Sequence, residues 1–194
     1  MQLIKNLQKY VSGRLVLVLF ILTMIVYMLI LLYSIPAVVV QAPEMRLFDM
    51  SPTGYSPEYA ESLLTAIGPG GREMYLTRQL PIDLIYPGLF AVTYTLMLIW
   101  LFGKRFDAKS KIFLLAFVPS AAGLFDYLEN IGIVLMLKSF PKINPMLVHV
   151  SSIFSILKSV LTISFYVLLC YGLILLFVRR KHSPETNKIN AADR

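Results

Sequence analysis

The chain has 194 residues, of which 57% are hydrophobic and 15% charged, with a formal net charge of +7 and a mean hydropathy of +0.71. This composition excludes an ordinary soluble globular domain and a disordered chain, and the length suits one membrane domain, residues 1–194. The basic residues flank apolar segments and form no compact basic-aromatic surface, so no nucleic-acid partner is expected.

In chain order, Lys5, Lys9 and Arg14 precede the first apolar segment, which runs from Leu15 to about Leu32 and on toward Val40. It is too long for the apolar core of a signal peptide, and no small-x-small cleavage site follows it. It reads as a retained span, and with Thr23 and Tyr27 but no charge it is expected to be scaffold.

The outer loop, residues 41–81, is not low-complexity. Ser56-Pro57 reads as an N-cap with proline in the first turn. Ala60, Leu63, Leu64 and Ile67 then form one apolar helical face, with Gly68 as a stop. That predicts a short helix on the membrane surface or over the bundle. Gly70-Gly71 reads as a turn before a second helical stretch, Arg72 to Gln79, and Pro81 as the start of the next span.

The remaining spans are expected over residues 82–102, 112–137 and 146–178, after a first span over 15–40, with a tail over 179–194. Each is long enough for the roughly 20 residues that cross a bilayer core. The predicted fold is all-α, a polytopic bundle of four transmembrane helices. Lys104, Arg105, Lys109 and Lys111 sit between the second and third spans, and Arg179, Arg180, Lys181, Lys188 and Arg194 in the tail. The positive-inside bias then places both termini in the cytoplasm of a multi-pass cell-membrane protein, with membrane lipids as partners. The lone Cys170 allows no internal disulfide and reads as a small apolar filler. His149 and His182 are too far apart for a zinc site.

The third span carries the chemistry. Asp126, Glu129 and Asn130 are spaced i, i+3, i+4 and share one helical face. Acidic residues inside a bilayer cost a few kcal/mol each on insertion scales and mark functional sites by default. A helix rises about 1.5 Å per residue, which sets depth along each span from Lys104, Lys111 and Arg179. Asp83, Tyr86, Glu129, Asn130 and Lys158 then fall at one level, near the outer edge of a core about 30 Å thick. Asp126 lies about two turns deeper than Lys158 on the same ruler. Pro87 and Pro119 are expected to kink their helices, and Gly123 to allow close approach below Asp126. In the fourth span Ser151, Ser155, Lys158, Ser159 and Thr162 form a polar stripe.

Two readings stand side by side. In the first, Asp126 or Glu129 pairs with Lys158 only to hold helices together. In the second, Asp126, Glu129 and Lys158 are catalytic groups in a cavity open to the outer leaflet. Paired carboxylates split their pKa values into an acid and a base. Asp83, Tyr86, Asn130, Arg72 and Ser155 would then bind substrate, a lipid or other amphipathic molecule, with Arg72 offering a fork for phosphate. The same oxygens suit a hard cation, but no metal-ligand spacing is recognisable and no metal is assigned; any cofactor is unknown. Ser155-Ile-Leu-Lys158 has Ser-x-x-Lys spacing, without the companion motifs of enzymes that use it. An ion-coupled transporter, as a homo-oligomer, or a membrane scaffold are the alternatives; no internal repeat supports the former.

Gly54-Tyr55-Ser56, Gly71-Arg72 with Tyr75, Asp83 with Tyr86-Pro87, Asp126-Tyr127-Leu128-Glu129-Asn130 and Lys158 together resemble a group of uncharacterised bacterial four-span membrane proteins. The resemblance covers about residues 50 to 160 and implies the four-span fold. It implies no activity.

Overall fold

The computed structural model describes residues Gln2 to Phe177, which fold into helices and connecting loops without strands. Six helices follow in order: α1 (Gln2–Tyr10), α2 (Gly13–Val38), α3 (Pro57–Ala66), α4 (Gly68–Gly103), α5 (Lys111–Ser139) and α6 (Pro145–Phe177). Of these, α2, α4, α5 and α6 are long and apolar enough to span a membrane. The basic tail lies outside the described residues.

The spans pack in chain order. α2 lies on α4, α4 on α5, and α5 on α6, the most extensive pairing, while α6 returns to touch α4. Close approach depends on small residues, as expected where lipid supplies no hydrophobic drive between helices. A Cβ on Gly123 would stand 2.7 Å from the Pro87 carbonyl oxygen, so α4 and α5 meet there without a side chain between them.

Two apolar cores result. The loop-side core joins Leu47, Phe48, Leu63, Leu64, Ile67 and Tyr75 to Ile133, Met136 and Val148. The second core holds Phe90, Tyr94, Leu98, Phe102, Phe113 and Phe165. Asp83, Asp126, Glu129, Asn130 and Lys158 fall between the two along α4, α5 and α6.

The loop helix forms as its sequence predicts. Ser56 Oγ accepts from Tyr59 N at 3.2 Å, Pro57 occupies the first turn, and Ala60, Leu63, Leu64 and Ile67 are buried over the bundle. Gly68 ends it with a φ of +66°, a conformation open to glycine at little cost.

Three expectations need correction. Pro81 does not begin the second span: helix runs from Gly68 through to Gly103, with its only looser turn at Leu84–Ile85. The helix passes Pro81 because it widens into a π-helical stretch, Tyr75–Gln79, two residues before the proline. The same happens in α2, where Ile30–Ser34 is π-helical two residues before Pro36. A proline ring clashes with the carbonyl four residues back, and a wider turn relieves the clash. The third span does not start as α-helix either; Lys111–Phe117 is 3-10, ending just before Pro119, which has no N–H for the Leu115 carbonyl. Finally, Cys170 is no core filler but sits on the exposed face of α6.

The basic segment before the first span also folds, as α1. Its Ile4 is buried and Leu7 half-buried against the second core, while Lys5 and Lys9 are exposed.

Candidate functional site

Lys158 is the centre of the polar layer. Its Nζ lies 2.5 Å from Glu129 Oε2 and 3.2 Å from Asp126 Oδ1. It also donates to the Asp49 carbonyl oxygen at 3.4 Å. Asp126 therefore contacts Lys158 and does not lie two turns below it. Two causes account for the difference. The 3-10 start of α5 rises about 2.0 Å per residue, lifting Asp126 by about 3.5 Å relative to an α-helix. A lysine stem also carries its charge well away from its own backbone.

Beside this trio, Asn130 Nδ2 donates to Asp83 Oδ2 at 2.7 Å. Glu129 and Asn130 are fully buried, and Asp83 and Asp126 are 5% and 7% exposed. Glu129 Oε1 and Asn130 Oδ1 are buried acceptors without a hydrogen-bond donor among the described residues.

A fourth carboxylate enters from the outer loop. Asp49, in the short turn Phe48–Met50, accepts from Tyr75 Oη and from Gln79 Nε2, each at 2.8 Å. Ser34 Oγ in turn donates to Gln79 Oε1. Both π-helical stretches thus bear on Asp49: Tyr75–Gln79 supplies its donors and Ile30–Ser34 orients Gln79. Asp49 escaped the sequence reading because the loop shows no membrane periodicity. Its signal was an acid within Leu47-Phe48-Asp49-Met50.

The polar stripe of α6 explains how the loop is held. Ser155 Oγ donates to the Ser51 carbonyl at 2.9 Å, Tyr55 N donates to Ser152 Oγ at 2.8 Å, and Tyr55 Oη pairs with Ser151 Oγ at 2.8 Å. With the Lys158–Asp49 bond, this is a ladder along successive turns of one helix. Burial foremost, then the Glu129 charge, pushes the Tyr55 phenol above its ordinary pKa. Ser155 is thereby spent on the loop backbone, which is the polar-packing reading of Ser-x-x-Lys.

A cavity of about 280 Å³ opens next to Lys158. Its polar wall is Asp49, Asp83, Asp126 and Lys158 with the hydroxyls of Ser159 and Thr162, and its largely apolar walls come from α2 (Tyr27, Ile30, Leu31), α4 (Tyr86, Phe90), α5 (Ala122, Gly123) and α6 (Ile163). Exposed Met50, Pro52 and Ile163 form part of its rim, so the cavity opens beside the 48–52 turn and α6. Tyr27 stacks on Tyr86 with ring centroids 5.5 Å apart. The first span is therefore not pure scaffold; Thr23 is structural, bonding Thr93 at 2.8 Å, but Tyr27 lines the site.

Of the sequence-predicted residues, Asp83, Tyr86, Asp126 and Lys158 reach the cavity wall. Glu129, Asn130 and Ser155 lie behind it. Arg72 stands apart, with Nη1 donating to the Leu64 carbonyl at 2.6 Å and its guanidinium 4.4 Å from the Phe140 ring centroid. It closes the C-terminal end of α3. Among the described residues no group of three His, Cys, Asp or Glu side chains is placed to hold a metal ion.

Fold and site together define a four-span helical protein with a charged layer between two apolar cores. Comparison with family models, curated proteins and solved structures finds no match to this chain.

Proposed function

We propose that the chain binds or processes a lipid or other amphipathic small molecule at the outward half of the bilayer, with both termini cytoplasmic. The observation that carries this reading is the cavity itself: apolar walls leading to Asp83, Asp126 and Lys158, with an exposed rim on α6 and the 48–52 turn. An apolar pocket with a few convergent polar groups is the usual form of a small-molecule site. Here an acyl chain would lie along the apolar walls while its headgroup meets the charged wall. Asp126 is the acid/base candidate that faces this space, Lys158 its counter-ion, and Glu129 the group that holds Lys158 from behind.

A path through the membrane is less well supported. Below the site Phe90, Tyr94 and Phe165 pack with centroids 4.6 to 5.5 Å apart, an aromatic plug on the inner side. The test is native mass spectrometry of the detergent-purified protein beside Asp126→Asn. A lipid-sized adduct retained by the wild type and weakened in the variant is expected. Absence of any adduct from the folded wild type would remove this function.

A further inference from the structure

We infer that the headgroup this cavity takes is a cation, an ammonium carried on an apolar tail. The inference rests on the proposed amphipath site and names its ligand class. Around the cavity the described residues supply Asp49, Asp83 and Asp126, with Glu129 behind, against the single ammonium of Lys158. Lys158 is already engaged by Glu129, Asp126 and the Asp49 carbonyl, so it has little left to offer an anion.

The carboxylates are the groups with capacity to spare. Asp83 uses Oδ2 for Asn130, and Asp126 uses Oδ1 for Lys158. Asp83 Oδ1 and Asp126 Oδ2 receive no hydrogen bond among the described residues. As residues Asp83 and Asp126 are 5% and 7% exposed, and what they expose lines the cavity. These free oxygens are therefore acceptors presented to the cavity from a mostly buried setting, where a ligand bringing N–H donors and positive charge gains more than it would in water. The stacked Tyr27 and Tyr86 add aromatic faces, which attract cations. A phosphate would instead bring negative charge to acceptor oxygens, and a neutral alcohol would leave the charge imbalance in place.

The experiment uses the full chain in amphipol and four probes of equal chain length: dodecylamine, dodecyltrimethylammonium, dodecanol and dodecyl phosphate. Apparent affinity is read from concentration-dependent thermal stabilisation. Dodecylamine is expected to bind about tenfold or more tighter than dodecanol, as a charge-assisted hydrogen bond implies. Asp83→Asn and Asp126→Asn should each bring the ratio of dodecylamine to dodecanol affinity down toward one. Asp83 is in no ion pair among the described residues, so Asp83→Asn serves if Asp126→Asn fails to fold. Dodecanol or dodecyl phosphate binding as tightly as the amines would overturn the cationic headgroup and leave the amphipath site standing. If no probe binds, the site itself falls as well. Trimethylammonium matching the primary amine would support the charge and aromatic contribution over specific N–H donation.

Discussion

Replacing Lys158 with methionine removes the one ammonium of the described polar layer while keeping a long apolar stem. At an effective permittivity of about 20, contacts of 2.5 and 3.2 Å each attract by about 5 to 7 kcal/mol before desolvation is counted. Most of that attraction only offsets the cost of burying the charges, so the pair itself is weak evidence of stability. Breaking it from one side is different, because fully buried Glu129 and nearly buried Asp126 are left without their cation. Lys158→Met is therefore expected to cost about 3 to 5 kcal/mol. An interhelical hydrogen bond between neutral groups in a membrane is worth about 0.6 kcal/mol on average and rarely reaches 2. The two magnitudes separate an ionic layer from simple polar packing. The assay is equilibrium unfolding in mixed micelles followed by circular dichroism, at neutral pH. Adding Glu129→Gln to Lys158→Met should recover part of the loss, since it removes one of the stranded carboxylates. A loss below about 1 kcal/mol for Lys158→Met would refute the reasoning, because it is no more than a neutral bond would give.

Three further outcomes follow from the same geometry. Gly123→Leu should destabilise by about 1 to 3 kcal/mol and close the cavity floor, because even a Cβ would stand 2.7 Å from the Pro87 carbonyl; thermal unfolding and loss of amphipath binding measure both. Tyr55→Phe should cost about 1 kcal/mol through the lost Ser151 contact, and amide exchange should quicken over residues 47–55. The raised Tyr55 phenol favours the folded state only below the unfolded pKa of about 10, so wild-type stability should fall as pH climbs past that value. Tyr55→Phe should flatten the fall in chemical-denaturation curves taken from neutral to alkaline pH. Ser56→Ala should cost about 1 kcal/mol by uncapping α3, read as a lower unfolding midpoint.

Apolar run lengths, the i, i+3, i+4 spacing of Asp126, Glu129 and Asn130, and the Ser56-Pro57 cap were all readable along the chain. These are local properties: hydropathy sets which segments can cross a bilayer, and helical period sets which side chains share a face. Lys158 could be matched to Glu129 by counting rise along their helices. The same count leaves Asp126 low because a backbone ruler omits the reach of the lysine stem; the 3-10 start of α5 lifts Asp126 and Glu129 alike, and only the following proline announces it.

What only the tertiary structure decided was where the loop goes and what Lys158 touches from it. Asp49 joins a layer built by residues about a hundred positions away because Ser151, Ser152, Ser155 and Lys158 offer hydrogen-bonding groups on successive turns of α6. That register depends on bonds between distant segments, which no window of sequence contains. The π-helical stretches are legible only afterwards, as turns that pass a proline and bring Ser34 and Gln79 together. The cavity has the same origin. Its walls belong to four helices and a loop, and glycine at 123 lets α4 and α5 close beneath the rim formed by Met50, Pro52 and Ile163.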